Sequence, residues 1–156
     1  MRPSLGARLF TTLAGLAAAC LLAALAHAAD SEIGMVKTVA GQVAIIRGGQ
    51  RLPAKVGGIV LEKDTIETGP DGSVGITLTD NTVMSAGPNS QLALAEYRFD
   101  SSNFNGSMLA DVEKGTVAVV SGDIARSSPD AMKIKTPTAI LGVRGTRFTV
   151  EVPSGH

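Results

Sequence analysis

The segment Gly69-Pro70-Asp71-Gly72-Ser73-Val74-Gly75-Ile76-Thr77-Leu78-Thr79-Asp80-Asn81 decides the fold class. Val74, Ile76 and Leu78 alternate with Ser73, Gly75, Thr77 and Thr79. A period of two gives one apolar and one polar face, which is the pattern of a half-buried strand. Gly69-Pro70-Asp71-Gly72 before it and Asp80-Asn81 after it supply preset or positive φ angles, so the chain can reverse at both ends.

The same grammar extends in both directions. Phe148, Val150 and Val152 alternate with Arg147, Thr149 and Glu151, and Met132 and Ile134 alternate with Lys133 and Lys135. Further candidate strands are 35–46, 58–68, 82–86, 91–97, 108–112, 116–120 and 139–143. Turn signals separate them at Gly48-Gly49, Gly87-Pro88-Asn89, Lys114-Gly115 and Ser121-Gly122-Asp123. Short strands punctuated about every 8–12 residues read as a sandwich, barrel or solenoid. The expectation is a single all-β domain of short antiparallel strands, arranged as two packed sheets of jelly-roll or sandwich type or as a short β-coil.

No helix of consequence is predicted after residue 30. Arg98 to Gly106 is read as the longest loop and Ile124 to Ala131 as a second one. Gly41-Gln42-Val43-Ala44-Ile45 resembles Gly115-Thr116-Val117-Ala118-Val119, through shared strand grammar or a coiled stack of similar turns. Gly48-Gly49 and Gly57-Gly58 flank a short strand around Arg51-Leu52-Pro53. Without a following Lys-Ser or Lys-Thr they make no phosphate cradle.

The N-terminus carries a different message. Arg2 and Arg8 precede an uncharged stretch from Leu9 to Leu25, followed by the small-residue site Ala26-His27-Ala28. This is the three-part pattern of a secretory signal, with cleavage expected after Ala28 or Ala29. An uncleaved membrane anchor and a lipoprotein site at Cys20 are the alternatives. The 156 residues contain 14 basic and 14 acidic side chains. Without residues 1–28 the remaining 128 hold 12 basic against 14 acidic groups, a net charge of −2. That charge does not suit a nucleic-acid binder, which needs excess Lys and Arg to replace phosphate counterions.

Removing the signal also removes Cys20 and His27, leaving His156 as the one histidine. An imidazole- or thiol-dependent nucleophile, a zinc site of the Cys/His type and thiol redox chemistry then lack their side chains. The expectation is a non-enzymatic protein with no cofactor and no metal.

The order of segments resembles the FecR domain. It runs from Gly41-Gln42-Val43 through Ile66-Glu67-Thr68, Gly72-Ser73-Val74, Asp80-Asn81-Thr82 and Pro88-Asn89-Ser90-Gln91-Leu92 to Gly115-Thr116-Val117. It closes on Lys135-Thr136-Pro137-Thr138-Ala139 and Val143-Arg144-Gly145-Thr146-Arg147-Phe148. The resemblance covers residues 36–152 and implies an all-β extracytoplasmic module, periplasmic or secreted. Full FecR-type regulators also carry a sigma-factor-binding segment before a membrane helix and a transporter-contacting domain after the β module; neither is expected here. The implied role is protein–protein interaction in envelope sensing or assembly, with an unidentified envelope partner. The membrane is involved only if the signal stays uncut.

Several residues stand out as candidate contacts. Arg144 is a possible recognition residue, with Gly145 expected at positive φ, Thr146 opening the last strand and Arg144 otherwise tying down carbonyls. Thr136, Pro137, Gly145, Thr146 and Phe148 form the structural signature, with Pro137 at a strand start or bend. Tyr97, Phe99 and Phe104 are possible partner contacts around the Arg98–Gly106 loop. They also supply the alternative reading, a small-ligand or polysaccharide binder stacking on exposed rings. Glu62, Asp64, Glu67, Asp71 and Asp80 are read as solvated turn residues, since nothing in the sequence makes two of them face across a cleft.

Overall fold

The computed structural model describes residues 31–153 apart from 129 and 146. The expected signal at 1–28, with Cys20, and the chain-terminal His156 lie outside the described residues. The strands are β1 (Glu32–Ala40), β2 (Val43–Arg47), β3 (Gln50–Pro53), β4 (Ile59–Leu61), β5 (Thr65–Thr68), β6 (Ser73–Leu78), β7 (Val83–Ala86), β8 (Gln91–Asp100) and β9 (Asn105–Val120). A short helix, α1 (Asp123–Ser127), leads to β10 (Met132–Lys135), β11 (Ile140–Gly142) and β12 (Arg147–Val152).

The fold is all-β, one curled and almost wholly antiparallel sheet in the order β3-β2-β5-β8-β9-β7-β6-β1-β4. β9 is the hinge of this path. Its first part pairs with β8 and, in parallel, with β10; its last six residues pair with β7 and β12. The parallel β9–β10 pair departs from the all-antiparallel expectation. It follows from the return through α1, which lets β10 run alongside β9 rather than fold back in a hairpin. Inward-facing alternation then closes one core: Val36, Ile66, Ile76, Met84, Leu92, Leu94, Val112 and Ile134 are all buried. Each such side chain contributes roughly 1.5–3 kcal/mol by leaving water.

The chain passes repeatedly between the two halves of the path, and its corners stack. The Gly69 amide donates to the Gln42 carbonyl at 2.8 Å, and the Asn89 amide donates to the Gly69 carbonyl at 3.0 Å. The Gly87 amide donates to the Thr116 carbonyl at 2.9 Å. Thr68 Oγ1 donates to the Gly87 carbonyl at 2.6 Å and accepts from the Ser90 amide at 2.8 Å, while Ser90 Oγ accepts from the Thr116 amide at 3.0 Å.

Two corner glycines explain the internal similarity between residues 41–45 and 115–119. Gly41 (φ 62°) takes the chain from β1 to β2, and Gly115 (φ 85°) takes β9 from its β8 neighbour to its β7 neighbour. A Cβ on Gly41 would lie 2.2 Å from the Asp71 carbonyl oxygen, and one on Gly115 would lie 2.2 Å from Ser90 Oγ. Both positions demand a left-handed backbone and both are walled by the adjacent corner.

Several sequence boundaries are corrected by this geometry. Lys114-Gly115 is a bulged corner inside one 16-residue strand, not a turn between two, because β9 keeps a partner on each side of it. The 35–46 segment divides at Gly41-Gln42, and 58–68 divides at Lys63, which has φ 69°. The expected long loop at 98–106 is a hairpin end. β8 and β9 pair out to Asp100 and Asn105, leaving a four-residue turn. The Asp100 carboxylate ties that turn by accepting from the Ser102 amide at 2.9 Å, the Ser102 hydroxyl at 2.6 Å and Asn103 Nδ2 at 3.0 Å. Those donors, the Ser102 hydroxyl first, hold the Asp100 carboxyl below the usual range.

Gly115→Ala tests the corner argument. A left-handed alanine costs about 1–2 kcal/mol before any clash with Ser90. The expected destabilisation is therefore ~2 kcal/mol or more, read as a fall in thermal midpoint of about 8 °C or more. A midpoint within a degree of the parent would refute the close approach.

Candidate interaction surface

The polar groups buried beneath the surface come first, because they fix the elements that carry it. Asp80, in the turn between β6 and β7, is 0% exposed, and Asp64, between β4 and β5, is 1% exposed. The expectation that both are solvated turn carboxylates is therefore overturned. Asp64 accepts from Arg47 Nε at 2.9 Å, Arg47 Nη2 at 2.7 Å and the Leu61 amide at 2.8 Å. Asp80 accepts from the Thr82 amide at 3.1 Å, the Thr82 hydroxyl at 2.7 Å and the Tyr97 phenol at 3.1 Å. Burial without such donors would cost several kcal/mol; with three or more each, the carboxylates organise their turns instead.

Asp80 also holds α1. The Asp123 amide donates to the Asp80 carbonyl at 2.7 Å, and the Ile124 amide reaches Asp80 Oδ2 at 3.4 Å. A helix of five residues is not self-sustaining. These bonds and the burial of Ile124, which is 0% exposed, create it where a loop was expected.

The three candidate rings separate. Tyr97 is buried, so its expected place on a contact surface is corrected: its phenol accepts from the Asp80 amide at 2.9 Å and meets Thr79 Oγ1 at 2.9 Å. Phe99 is half-buried against the core. Phe104 alone is open, 52% exposed at φ 60° in the hairpin turn, where its carbonyl accepts from the Ser127 hydroxyl of α1.

Arg144 is exposed in the connection between β11 and β12. It pairs with a carboxylate rather than with carbonyls: Nη2 lies 3.0 Å and Nε 3.3 Å from Asp130. Asp130 lies in the α1–β10 connection, three residues beyond Ser127, the last residue of α1, whose hydroxyl holds Phe104. The guanidinium's hydrogen bond and charge draw the Asp130 carboxyl below its ordinary range and push Arg144 up.

Thr136 and Pro137 sit in the turn between β10 and β11, closed by the Thr136 amide on the Ala139 carbonyl at 2.8 Å and the Ala139 amide on Thr136 Oγ1 at 3.1 Å. Gly145 does not adopt the left-handed backbone expected of it. Open space surrounds its would-be Cβ, and its carbonyl accepts from the Ser121 hydroxyl. Thr146 lies outside the described residues. Phe148 packs half-buried against the core.

Beyond these sits a feature that alternation in sequence does not announce. β11 and β12 both pair on one side only, β11 with β10 and β12 with β9. All three residues of β11 are exposed, with Ile140 at 65% and Leu141 at 43%. A groove of about 330 Å³ runs between the two edges, lined by Leu141–Gly145 on one wall and Phe148–Val150 on the other. Free edges of this kind offer unpaired backbone amides and carbonyls to another chain.

Fold and edge together define an all-β module that presents strand edges rather than an interior pocket of reactive groups; among the described residues every buried side-chain nitrogen and oxygen is hydrogen-bonded. The FecR protein family model matches residues 64–156, more than half of the 156-residue chain, and the chain belongs to that family. FecR proteins are regulatory and non-catalytic, are membrane-associated with periplasmic domains, and act with other proteins in signalling. No curated protein and no solved structure matches the chain. β1 to β4 precede the matched region yet are hydrogen-bonded into the same sheet.

Tyr97 provides an optical test of the Asp80 cluster, being the one tyrosine in a chain without tryptophan. Burial, chiefly, raises its pKa far above the ordinary value of about 10, with the Asp80 charge adding to the shift. A group whose folded pKa is raised lends stability that is present in full below the unfolded value and lost as pH climbs toward the folded one. Phenolate absorbance is therefore expected to lag free tyrosine on alkaline titration and to appear together with loss of the strand signal. Ionisation near pH 10 in the folded protein would refute the cluster.

Proposed function

We propose that the protein is a non-catalytic extracytoplasmic FecR module that binds a protein partner in envelope sensing or assembly, with the β11–β12 edge as its contact surface. The observation that carries this reading is the pair of unpartnered edges beside exposed Ile140 and Leu141. Extended partners add to such edges through main-chain hydrogen bonds and gain selectivity from side-chain pockets along them. Arg144, which lines the groove, extends the same reading as a rim contact. The N-terminal pattern supports export, and cleavage after Ala28 or Ala29 is the expected processing step. The ligand-binding alternative loses its platform, since Phe104 is the single well-exposed ring of the three on which it depended.

A photo-crosslinking side chain placed at Leu141 in living cells tests the surface. Crosslinks to an envelope protein are expected there and not at Ser101, in the hairpin turn away from the edge. Ile140→Asp with Leu141→Asp is expected to weaken capture by roughly tenfold or more, the cost of truncating a contact worth over about 1.4 kcal/mol. Equal labelling at Leu141 and Ser101 would defeat the proposal.

A further inference from the structure

The four free edges of the sheet are not equivalent. β3 carries Pro53 and the charged Arg51, which forms an ion pair with Glu67, and β4 and β11 have three residues each. Shortness, proline and charge are how sheet edges are kept from pairing with other chains. β12 has six residues without proline or lysine, and it pairs with β9 alone. It is the longest of the four edges among the described residues, and its two charges, Arg147 and Glu151, are of opposite sign.

The sequence of β12 is complementary to itself. Its outward face presents Arg147, Thr149 and Glu151, all exposed, and its inward face Phe148, Val150 and Val152. Neither Arg147 nor Glu151 has an ion-pair partner among the described residues. They stand four residues apart on one strand, roughly 13 Å, too far to pair with each other. Their neighbours on β9 are Val120 and Thr116, which carry no charge. The open side of β12 is where a countercharge can reach them.

We infer that β12 pairs antiparallel with β12 of a second copy, about a two-fold axis through Thr149, joining the two sheets into one. This rests on the edge reading above and names its partner. In that register Arg147 faces the partner's Glu151 at both ends, Phe148 faces the partner's Val150 twice, and Thr149 faces its own image. Opposite charges, aromatic with β-branched, and Thr with Thr are the cross-strand pairs that stabilise an antiparallel ladder. A one-residue slip turns the apolar residues outward. A shift of two leaves Arg147 or Glu151 opposite threonine. The symmetry is that of an isologous dimer, the commonest closed assembly.

The test uses the protein as the cell processes it, studied by sedimentation equilibrium over a concentration series. The parent is expected to double in mass as concentration rises. Arg147→Glu alone and Glu151→Arg alone each set like charges face to face at both ends, and each is expected to be monomeric. An equimolar mixture of the two restores both ion pairs and is expected to give a heterodimer. Both side chains are exposed, so the strand spectrum should be retained. As a second measurement independent of charge, Thr149→Cys is expected to form an intermolecular disulfide on oxidation, whereas Glu151→Cys, whose image lies roughly 13 Å away, is not. A parent that stays monomeric, a dimer indifferent to both reversals, or equal crosslinking at 149 and 151 would overturn the pairing. A monomer that still crosslinks an envelope protein at Leu141 would overturn this inference alone and leave the wider reading standing.

Discussion

The stacking of corners is the constraint from which the remaining architecture follows. Where the chain crosses between the β2–β5–β8 side and the β1–β6–β7 side at residues 41–42, 69–72, 87–90 and 115–116, the corners are hydrogen-bonded to one another: Gly69 to Gln42, Asn89 to Gly69, Gly87 to Thr116. A corner donating an amide to its neighbour must approach it to 2.8–3.0 Å, which leaves no volume for a Cβ at Gly41 or Gly115. The left-handed backbone at those glycines and the close approach are one requirement seen twice. Once the corners are stacked, the strands leaving them are aligned in register, and alternation places Val36, Ile76, Val112 and Ile134 in the same interior.

A second set of fixtures works through buried carboxylates. Asp64 and Asp80 both terminate short strands, and they replace water by three and four donors respectively. Asp80 does more, because its donors come from separate parts of the chain: Thr82 beside it, Tyr97 on β8 and Ile124 on α1. Removing one donor would strand a charge in a dry site rather than merely subtract a bond, so such networks favour a single arrangement. This is how a five-residue helix is placed firmly enough to send the chain back parallel to β9.

Much of this was legible in the sequence, and what was not has identifiable causes. Period-two alternation located β6, β10 and β12 almost to the residue, since their apolar positions all turn to the core. It could not tell a turn from a corner at Gly115, because both ask for a glycine at positive φ and only the neighbouring strands differ. It read Asp80 as solvated since aspartate in a turn is so by default; the donors that bury it lie 17 and 44 residues away. Tyr97 failed for the same reason, its partner being Asp80. The edge at β11 could not be located from the sequence: which strand ends unpaired depends on the topology, and Ile140 and Leu141 look like ordinary core residues until β11 is seen to have one neighbour.

The placement of the open edge is itself a consequence of the corner geometry. Because β9 bends at Gly115, its two parts point their second sides toward different strands, β10 and then β12. The chain that supplies both therefore has to leave one side after β11 and start again on the other with β12. That leaves two edges and a groove at one place on the molecule. Among the described residues there is neither imidazole nor thiol to make that groove reactive. Main-chain amides and carbonyls, the apolar pair Ile140 and Leu141 and the charges of Arg147 and Glu151 are what an incoming strand would meet there, and backbone pairing at such edges is the recognition we propose.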